Sequence, residues 1–209
     1  MNMRPLQRRH RPLAMGLLVG LLLCIMQPAM AGSETHRRQL NEGYSLLYAD
    51  VAGLRRTDLL LLVKLETDSV EQTVRRIADE MADMHDRLET WAVADTALRL
   101  DLQPLPRVER EKQAAAAADR LQSFAPWVGR TGPGFERTLL LTLSGALNQL
   151  RHLTRVLAEG EAEFGLSNAS QRGAAMTAAS GRLDALYDAV LALLEHDYYV
   201  HGTGQSHGR

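Results

Sequence analysis

Apolar side chains recur at alternating spacings of four and three residues over most of this chain of 209 residues. This spacing follows the α-helical turn, so it gathers apolar side chains on one face of a helix, where they can pack against neighbouring helices. Two short apolar runs, 59–63 and 139–143, would fit strands by length, but both lie inside longer helical periods. The pattern therefore predicts an all-α protein.

Two long amphipathic helices are predicted in the first half of the chain. The apolar face of the first runs over 40–65, with Asp58 as its only charged member. The second runs over 70–91, and Ser69 with Gln72 three residues later has the pattern of a capping box at its start. The short polar turn between the two helices predicts a helical hairpin.

Two further helices are predicted in the second half. Pro133 suits the first position of the third helix, because its missing N–H would have no intrahelical partner there. Gly165 can end that helix, since glycine adopts the left-handed conformation that often follows a helix. The fourth helix begins at Ser167 or Asn168, and its apolar face extends to Tyr198.

A long crossover separates the two predicted hairpins. Pro104 and Pro106 interrupt any helix through 100–108, because proline lacks a donor N–H and restricts the residue before it. A short alanine-rich helix follows over 109–124. The predicted fold is a four-helix bundle of two helical hairpins, joined by a long crossover that contains this short fifth helix.

The order of these helices resembles that of the ferritin-like class, whose di-iron sites take a Glu-x-x-His motif from each of two helices. In this chain none of the residues three positions before the histidines that follow residue 31 is a glutamate: Ser33, Ala82, Gln149, Leu193, Tyr198 and Gly204. The resemblance therefore implies a helix order only, and it carries over no di-iron activity.

Residues 1–31 have the three parts of a secretory signal peptide. A basic start without acidic residues is followed by an apolar run, 13–26, and by small residues at Ala29 and Ala31. We expect cleavage after Ala31 and export to the periplasm or the medium. A retained membrane span fits less well, because it needs about 20 apolar residues. Lipidation at Cys24 also fits less well, because a large leucine precedes this cysteine where lipoprotein processing requires a small residue.

Removal of the signal peptide limits what the chain can bind. It removes four of the 24 basic residues and none of the 25 acidic ones, which leaves 20 against 25 and a formal charge of −5. Nucleic-acid binding instead needs an excess of Lys and Arg to neutralise phosphates. The only cysteine also leaves, so neither a disulfide nor covalent c-type haem can form. No motif predicts another cofactor.

The mature chain is predicted to fold as a single helical domain over 32–201. The remaining residues, 202–209, contain no large apolar side chain to bury, so a disordered tail is expected there. The only predicted contact with a membrane is that of the signal peptide before cleavage.

The second predicted helix carries a cluster of possible metal ligands. Asp79, Asp83 and Asp86 share one face close to His85, and carboxylates with an imidazole can hold a divalent cation. The alternative interpretation is a solvated face whose charges pair with each other. Arg75 lies four residues before Asp79, and this is the spacing of ion pairs on a helix surface.

A second group of possible metal ligands lies near the C-terminus. His196, His201 and His207 could bind copper, nickel or zinc. Their spacings of five and six residues fit neither a helical i, i+4 pair nor a zinc-finger pattern. A frayed polar terminus is the simpler interpretation.

Large apolar side chains outside the regular helices indicate a possible binding surface. Phe124 and Trp127 belong to a turn-rich loop, and Leu105 lies between the two prolines of the crossover. Such side chains either cover the end of a bundle or bind a partner. Asp58 either lines a polar pocket inside the bundle or points to solvent.

No nucleophile with a matching base, phosphate loop or cofactor motif accompanies these residues. We therefore expect a non-enzymatic exported protein that binds a protein partner or an apolar small ligand, held between helices or under the crossover. Metal binding through His85 and neighbouring carboxylates, or through the C-terminal histidines, is the alternative.

The signal peptide gives a direct prediction. Protein recovered from the periplasm should begin at Gly32, because the small side chains of Ala29 and Ala31 form the cleavage site. Intact-mass spectrometry measures the new N-terminus. Ala31→Arg should block cleavage, whereas Gln39→Arg, outside the recognition segment, should not. A mature protein that keeps residues 1–31 would contradict the prediction.

Overall fold

The regular structure of the protein, in a computed structural model, is entirely helical over the residues that the structure describes. These are 14–55, 67–124, 133–164 and 167–199, with side chains described from residue 33 onward except at 117, 120–124, 164 and 167–169. The α-helices are α1 (Ala14–Leu54), α2 (Asp68–Ala94), α3 (Arg107–Phe124), α4 (Pro133–Phe164) and α5 (Ser167–Leu194), and a π-helical turn (Glu195–Tyr199) follows α5. The predicted all-α class is confirmed.

Most helix boundaries follow the signals in the sequence. α4 begins at Pro133 and α5 at Ser167, as predicted, and the crossover over 95–106 is not helical. α1 extends well before the predicted first helix and ends at Leu54. The rest of that predicted helix, including Asp58, lies outside the described residues.

The start of α2 differs from the prediction. The residue that precedes the helix is Thr67, in extended backbone conformation, and Ser69 lies inside the first turn, so the predicted capping box is wrong. Thr67 does not cap the helix with its side chain either. Its N–H and hydroxyl instead donate to the two carboxylate oxygens of Glu136 at 3.0 and 2.7 Å. A carboxylate accepts stronger hydrogen bonds than a neutral group, so this long-range contact prevails over the local cap.

The chain divides into two compact units, Met1–Arg38 and Gln39–Arg209, and α1 contributes to both. In the first unit the described side chains, 33–38, are exposed except for the half-buried His36. The second unit contains the hydrophobic core. Within the part of the chain that the structure describes, no helix is long and apolar enough to cross a membrane.

The core follows the predicted apolar faces of the helices. The buried apolar side chains of α1 and α2 are Tyr44, Leu47, Val51, Val70, Val74, Ile77, Ala78, Met81, Met84 and Leu88. Those of α4 and α5 are Phe135, Leu139, Leu140, Leu143, Leu147, Leu150, Leu157, Met176, Ala179, Leu183, Leu186, Val190 and Leu194. Burial of each large side chain stabilises the fold by roughly 1.5–3 kcal/mol before the entropic cost.

Side-chain contacts show that α4 and α5 run antiparallel to each other. Arg151 in the middle of α4 binds Asp184 in the middle of α5 at 3.1 Å. Glu161 near the end of α4 contacts Arg172 near the start of α5 at 2.6 Å. The short connection between the helices, centred on Gly165, is consistent with this arrangement.

α1 approaches α4 closely at two glycines. A Cβ atom on Gly43 would lie 2.8 Å from Leu157 Cδ2, and one on Gly160 would lie 2.7 Å from Leu40 Cδ2. Each helix therefore receives a leucine of the other where a glycine leaves space. These two contacts set the register between α1 and α4, which run antiparallel here.

This close approach predicts opposite effects for two Gly→Ala changes. Gly145→Ala should raise the free energy of unfolding by about 0.5–1 kcal/mol, because alanine favours the helix and no atom lies within 4 Å of the new methyl group. The free energy of unfolding of Gly43→Ala should be about 1–3 kcal/mol lower than that of Gly145→Ala, because the new methyl group must displace the buried Leu157. Urea unfolding of both variants measures the difference, and equal stabilisation by the two changes would refute the contact.

Candidate functional site

Two buried polar residues of α1 fix the crossover. Asn41 donates from Nδ2 to the carbonyl of Ala97 at 2.9 Å and accepts from the N–H of Arg99 at 3.2 Å. Ser45, one turn later, donates to the Arg99 carbonyl at 3.1 Å and accepts from the N–H of Leu102 at 3.2 Å. Backbone groups that leave helical structure near a core need such partners. The crossover is therefore held against α1 by four hydrogen bonds.

An ion network ties the start of the crossover to α4 and α5. Arg172 donates from Nε to Glu161 at 2.6 Å and from Nη1 to Asp95 at 2.7 Å. Asp95 is the residue that ends α2, and its N–H donates to the carbonyl of Trp91 at 2.8 Å. Glu161 is only 1% exposed, so its charge depends on the cation beside it.

Tyr44 of α1 completes this network. Its hydroxyl donates to Oε1 of Glu161 at 2.8 Å. Burial, with the neighbouring carboxylate, raises the pKa of the Tyr44 hydroxyl well above its usual range, so the hydroxyl stays protonated. Burial opposes the charge of Arg172, but the hydrogen bonds to Glu161 and Asp95 outweigh it and raise the pKa of the guanidinium. The network is thus a charged arginine held by two carboxylates and one phenol.

A groove of about 470 Å³ lies between α1, the crossover, α3 and α4. Its lining residues among those described are Leu46, Asp50, Leu105, Glu109, Lys112, Gln113, Ala116, Gln149 and Leu153. The three leucines are half-buried, so the groove exposes part of their apolar surface. The described side chains of α3 are all exposed apart from the half-buried Glu109, and they leave this space open.

The charges of the groove are not balanced. Lys112 donates to Glu109 at 2.7 Å, so these two neutralise each other. Asp50 has no hydrogen-bond or ion-pair partner in the part of the chain that the structure describes. Asp50 is exposed at the edge of the groove, and the atoms packed around its carboxyl raise the pKa of that group by partial desolvation. The groove therefore combines three partly exposed leucines with a lining that is more polar than apolar, and it contains one carboxylate without a partner among the described residues.

Of the residues that the sequence singled out for binding, the structure places Leu105 in this groove. Phe124 is the last residue of α3, and its side chain is outside the described part. Trp127 and Asp58 lie outside the described residues altogether. Asp50 was not predicted as a site residue. Its spacing of four residues from Leu46 places both side chains on one face of α1 and could have indicated it.

The predicted metal ligands of α2 do not gather as expected. His85 is 4% exposed, whereas Asp79, Asp83 and Asp86 point outward. The atoms that could hold a metal and lie within 4.8 Å of one another belong to His85, Asp86 and Glu89. Glu89 belongs to the same polar cluster in the sequence, one helical turn after His85, but it is not among the predicted ligands.

The guanidinium group of Arg55 lies beside the ring of His85. Nη1 of Arg55 lies 3.2 Å from Nδ1 of His85. The ring also stacks on Tyr48 with centroids 4.7 Å apart, and the Tyr48 hydroxyl donates to Glu89 at 2.8 Å. A metal ion at Nδ1 would have to displace the Arg55 guanidinium, because both need the same lone pair.

The predicted pairing along α2 is also different in detail. Arg75 binds Glu71, one turn before it, rather than Asp79. Glu80 binds Arg182 of α5 at 2.8 Å, which connects α2 to α5. The acidic side chains of α2 therefore form ion pairs both within α2 and with α5.

At the C-terminal end the structure describes one of the three predicted histidines. His196 is exposed and contacts Asp197 at 2.7 Å, while His201 and His207 lie outside the described residues. The nearby Tyr198 donates to Glu136 at 2.8 Å, so it joins the buried carboxylate that holds the start of α2. This contact is consistent with a structural role for the π-helical turn.

The ion network predicts unequal effects for two arginines. Arg172→Ala should lower the free energy of unfolding by about 3–5 kcal/mol, because it leaves the charge of Glu161 buried without its cation. Arg155→Ala is the matched control, since Arg155 binds Asp184 at 3.2 Å on the surface. Removal of an exposed pair costs about 1 kcal/mol or less. Urea unfolding at pH 7 measures both, and equal effects would show that the network is not buried as described.

The contacts within the chain are the basis on which the residues of the candidate site are identified. No protein-family model, curated protein or solved structure matches this chain.

Proposed function

We propose that the protein is exported, loses residues 1–31 and acts outside the cytoplasm as a non-enzymatic binding protein for an apolar small ligand. The groove under the crossover is the proposed site. The observation that carries this proposal is the combination of an open space of about 470 Å³ with the partly exposed side chains of Leu46, Leu105 and Leu153.

The proposed architecture is a four-helix bundle with ferritin-like helix order, in which α1 pairs with α2 and α4 with α5. Contacts between the pairs support it. Tyr48 of α1 bonds Glu89 of α2, and Glu80 of α2 binds Arg182 of α5. The approach of Gly43 to α4 completes a ring of neighbouring helices. The crossover and α3 then pass over the outside of the bundle, where the groove lies.

The dimensions of the groove favour a small ligand, because small-molecule sites have volumes of roughly 300–1,000 Å³. Its lining is more polar than is usual for such sites, so the apolar contact comes mainly from the three leucines. A ligand that covers the exposed parts of the leucines would gain about 25 cal/mol for each Å² of apolar surface removed from water. The hydrogen bonds of Asn41 and Ser45 hold the crossover in place, so this side of the site is formed before the ligand binds.

The chemistry of the lining supports binding rather than catalysis. The charged residues of the groove are Asp50, Glu109 and Lys112, and two of these bind each other. Among the described residues of the lining there is no histidine, serine or cysteine. The pairing of such a nucleophile with a base, which is typical of covalent catalysis, is therefore not found in this part of the groove.

Metal binding at His85 is the alternative, and the geometry favours it less. The cluster of His85, Asp86 and Glu89 has ligand atoms within 4.8 Å of one another. The guanidinium of Arg55 already lies beside Nδ1 of the ring. An ion bound through Nδ1 would therefore compete with a cation that the chain itself supplies, whereas one bound through Nε2, which lies 3.8 Å from Glu89, would not need the same lone pair.

The groove predicts that Leu105 matters for ligand binding and that the nearby Val108 does not. Leu105→Asp should weaken binding of the fluorescent neutral probe N-phenyl-1-naphthylamine about tenfold or more, because it places a charge against an apolar ligand. Val108→Asp should change the affinity less than about twofold, since Val108 is 76% exposed and does not line the groove. Fluorescence titration measures both affinities, and far-ultraviolet circular dichroism checks that both variants are folded.

Two outcomes would overturn this proposal. The first is equal probe binding by the wild-type protein and Leu105→Asp, or none by either. The second is a stoichiometric metal content that survives dialysis and disappears in His85→Gln, which would favour the alternative. His152→Gln is the control for the second outcome, because His152 is exposed on α4, away from the His85 cluster.

A further inference from the structure

The groove has an apolar end and a polar end. Leu40 lies against Gly160 and Gly43 against Leu157, so α1 and α4 are antiparallel in a known register. Continuing this register by one to two turns brings Leu46 level with Leu153 and Asp50 level with Gln149. These four residues are all in the groove lining, two at each level. The ligand therefore meets leucines at one level and oxygen acceptors at the other.

At the polar end, the side chains of α1 and α4 have unused acceptors and supply no cation. Asp50 and Gln149 form no hydrogen bond or ion pair in the part of the chain that the structure describes. Lys112 is the only cation in the described lining, and it is bound to Glu109. Asp50 is exposed, but the neighbouring side chains of the groove displace part of the water around it, and a lower local dielectric constant strengthens its attraction for a positive charge.

We propose that the ligand of this groove is an amphipathic primary amine, whose ammonium group donates to Asp50 and Gln149 while its apolar chain packs against Leu46 and Leu153. This inference rests on the proposed function and deepens it. An ammonium group has three N–H donors, so it can bind the carboxylate and the amide oxygen together. An anionic amphiphile of the same length is repelled by Asp50, and a neutral one lacks the charge.

The charge preference depends on the ionisation of Asp50. The charged groups that face it are Glu109 and Lys112 on α3, while α4 presents the neutral Gln149 and Leu153 and the crossover presents Leu105. Burial raises the pKa of the Asp50 carboxyl, so its ionised form is the one that the fold disfavours. The preference for an amine is present above this pKa and disappears as the pH falls through it.

The experiment compares three ligands with the same chain length on the purified processed protein. Octylammonium, 1-octanol and octanoate each displace N-phenyl-1-naphthylamine at pH 7. We expect octylammonium to displace the probe at a concentration at least about tenfold lower than either of the others, which corresponds to one favourable charge contact. Octyltrimethylammonium, which has no N–H donor, should be weaker than octylammonium.

Asp50→Asn tests the role of the carboxylate. It should reduce the advantage of octylammonium over octanol to less than about twofold. The variant should fold, because the Asp50 side chain is exposed and forms no hydrogen bond or ion pair with the described residues, and circular dichroism with urea unfolding checks this. Asp188→Asn, an exposed carboxylate on α5, should keep the full advantage.

The possible failures are distinguishable. If the probe binds but octylammonium has no advantage over octanol, or Asp50→Asn keeps that advantage, the amine inference is wrong and the proposed function stands. If neither the probe nor any of the ligands binds, both are wrong. If octyltrimethylammonium equals octylammonium, the charge contact holds but the shared hydrogen bonds to Asp50 and Gln149 do not.

Discussion

The guanidinium of Arg172 holds together the parts of the second unit that the apolar core alone would not align. It binds the buried Glu161 on one side and Asp95, at the end of α2, on the other. The two carboxylates are distant in sequence, and one of them is almost inaccessible to water. Apolar packing is not directional, whereas a guanidinium with fixed donors sets where its partners lie. The ion pairs of Arg172 therefore fix the position at which the crossover begins.

The groove follows from the way the crossover is held. Arg172 fixes its beginning, and Asn41 and Ser45 hold its backbone against α1. The prolines then keep the segment before α3 out of helical structure, so Leu105 is presented at the groove from an extended chain. Among the described side chains of α3, those of its first turns join the lining. The site is thus built from a wall made by α1 and α4 and from a connection that several hydrogen bonds hold in place.

The repeated apolar spacing was sufficient to predict much of the fold. It predicted most of the buried positions of α2 and α5, because a single period decides which side chains meet the core. On α4 the predicted face left out Phe135, Leu140 and Leu147, which are also buried. Pro133 and Ser167 located two helix starts for equally local reasons. The capping box at Ser69 failed because Glu136, far along the chain, offered Thr67 a stronger partner. A local sequence pattern gives no information about a hydrogen-bond partner that is distant in sequence and becomes a neighbour only in the folded chain.

The candidate site was much less predictable. Leu105 could be singled out because a leucine between prolines is conspicuous, but Asp50 is an ordinary acidic residue until α3 and α4 lie beside it. The same holds for Glu161 and Arg172, whose contact depends on the antiparallel register of α4 and α5. Glu89 lies in the same polar cluster of the sequence, but the shared face of Asp79, Asp83 and Asp86 favoured those three as ligands instead of the residue one turn after His85. Pairings between helices set these sites, and no single-helix period contains that information.

Direct detection of the ligand in the groove tests the central claim most sharply. Nuclear Overhauser effects from a bound apolar ligand to leucine methyl groups, assigned by substitution, report which side chains it touches. The account predicts contacts with Leu46, Leu105 and Leu153 and none with Leu141, which is 43% exposed on α4 but does not line the groove. Contacts with Leu141 alone, or with no leucine of the groove, would contradict it.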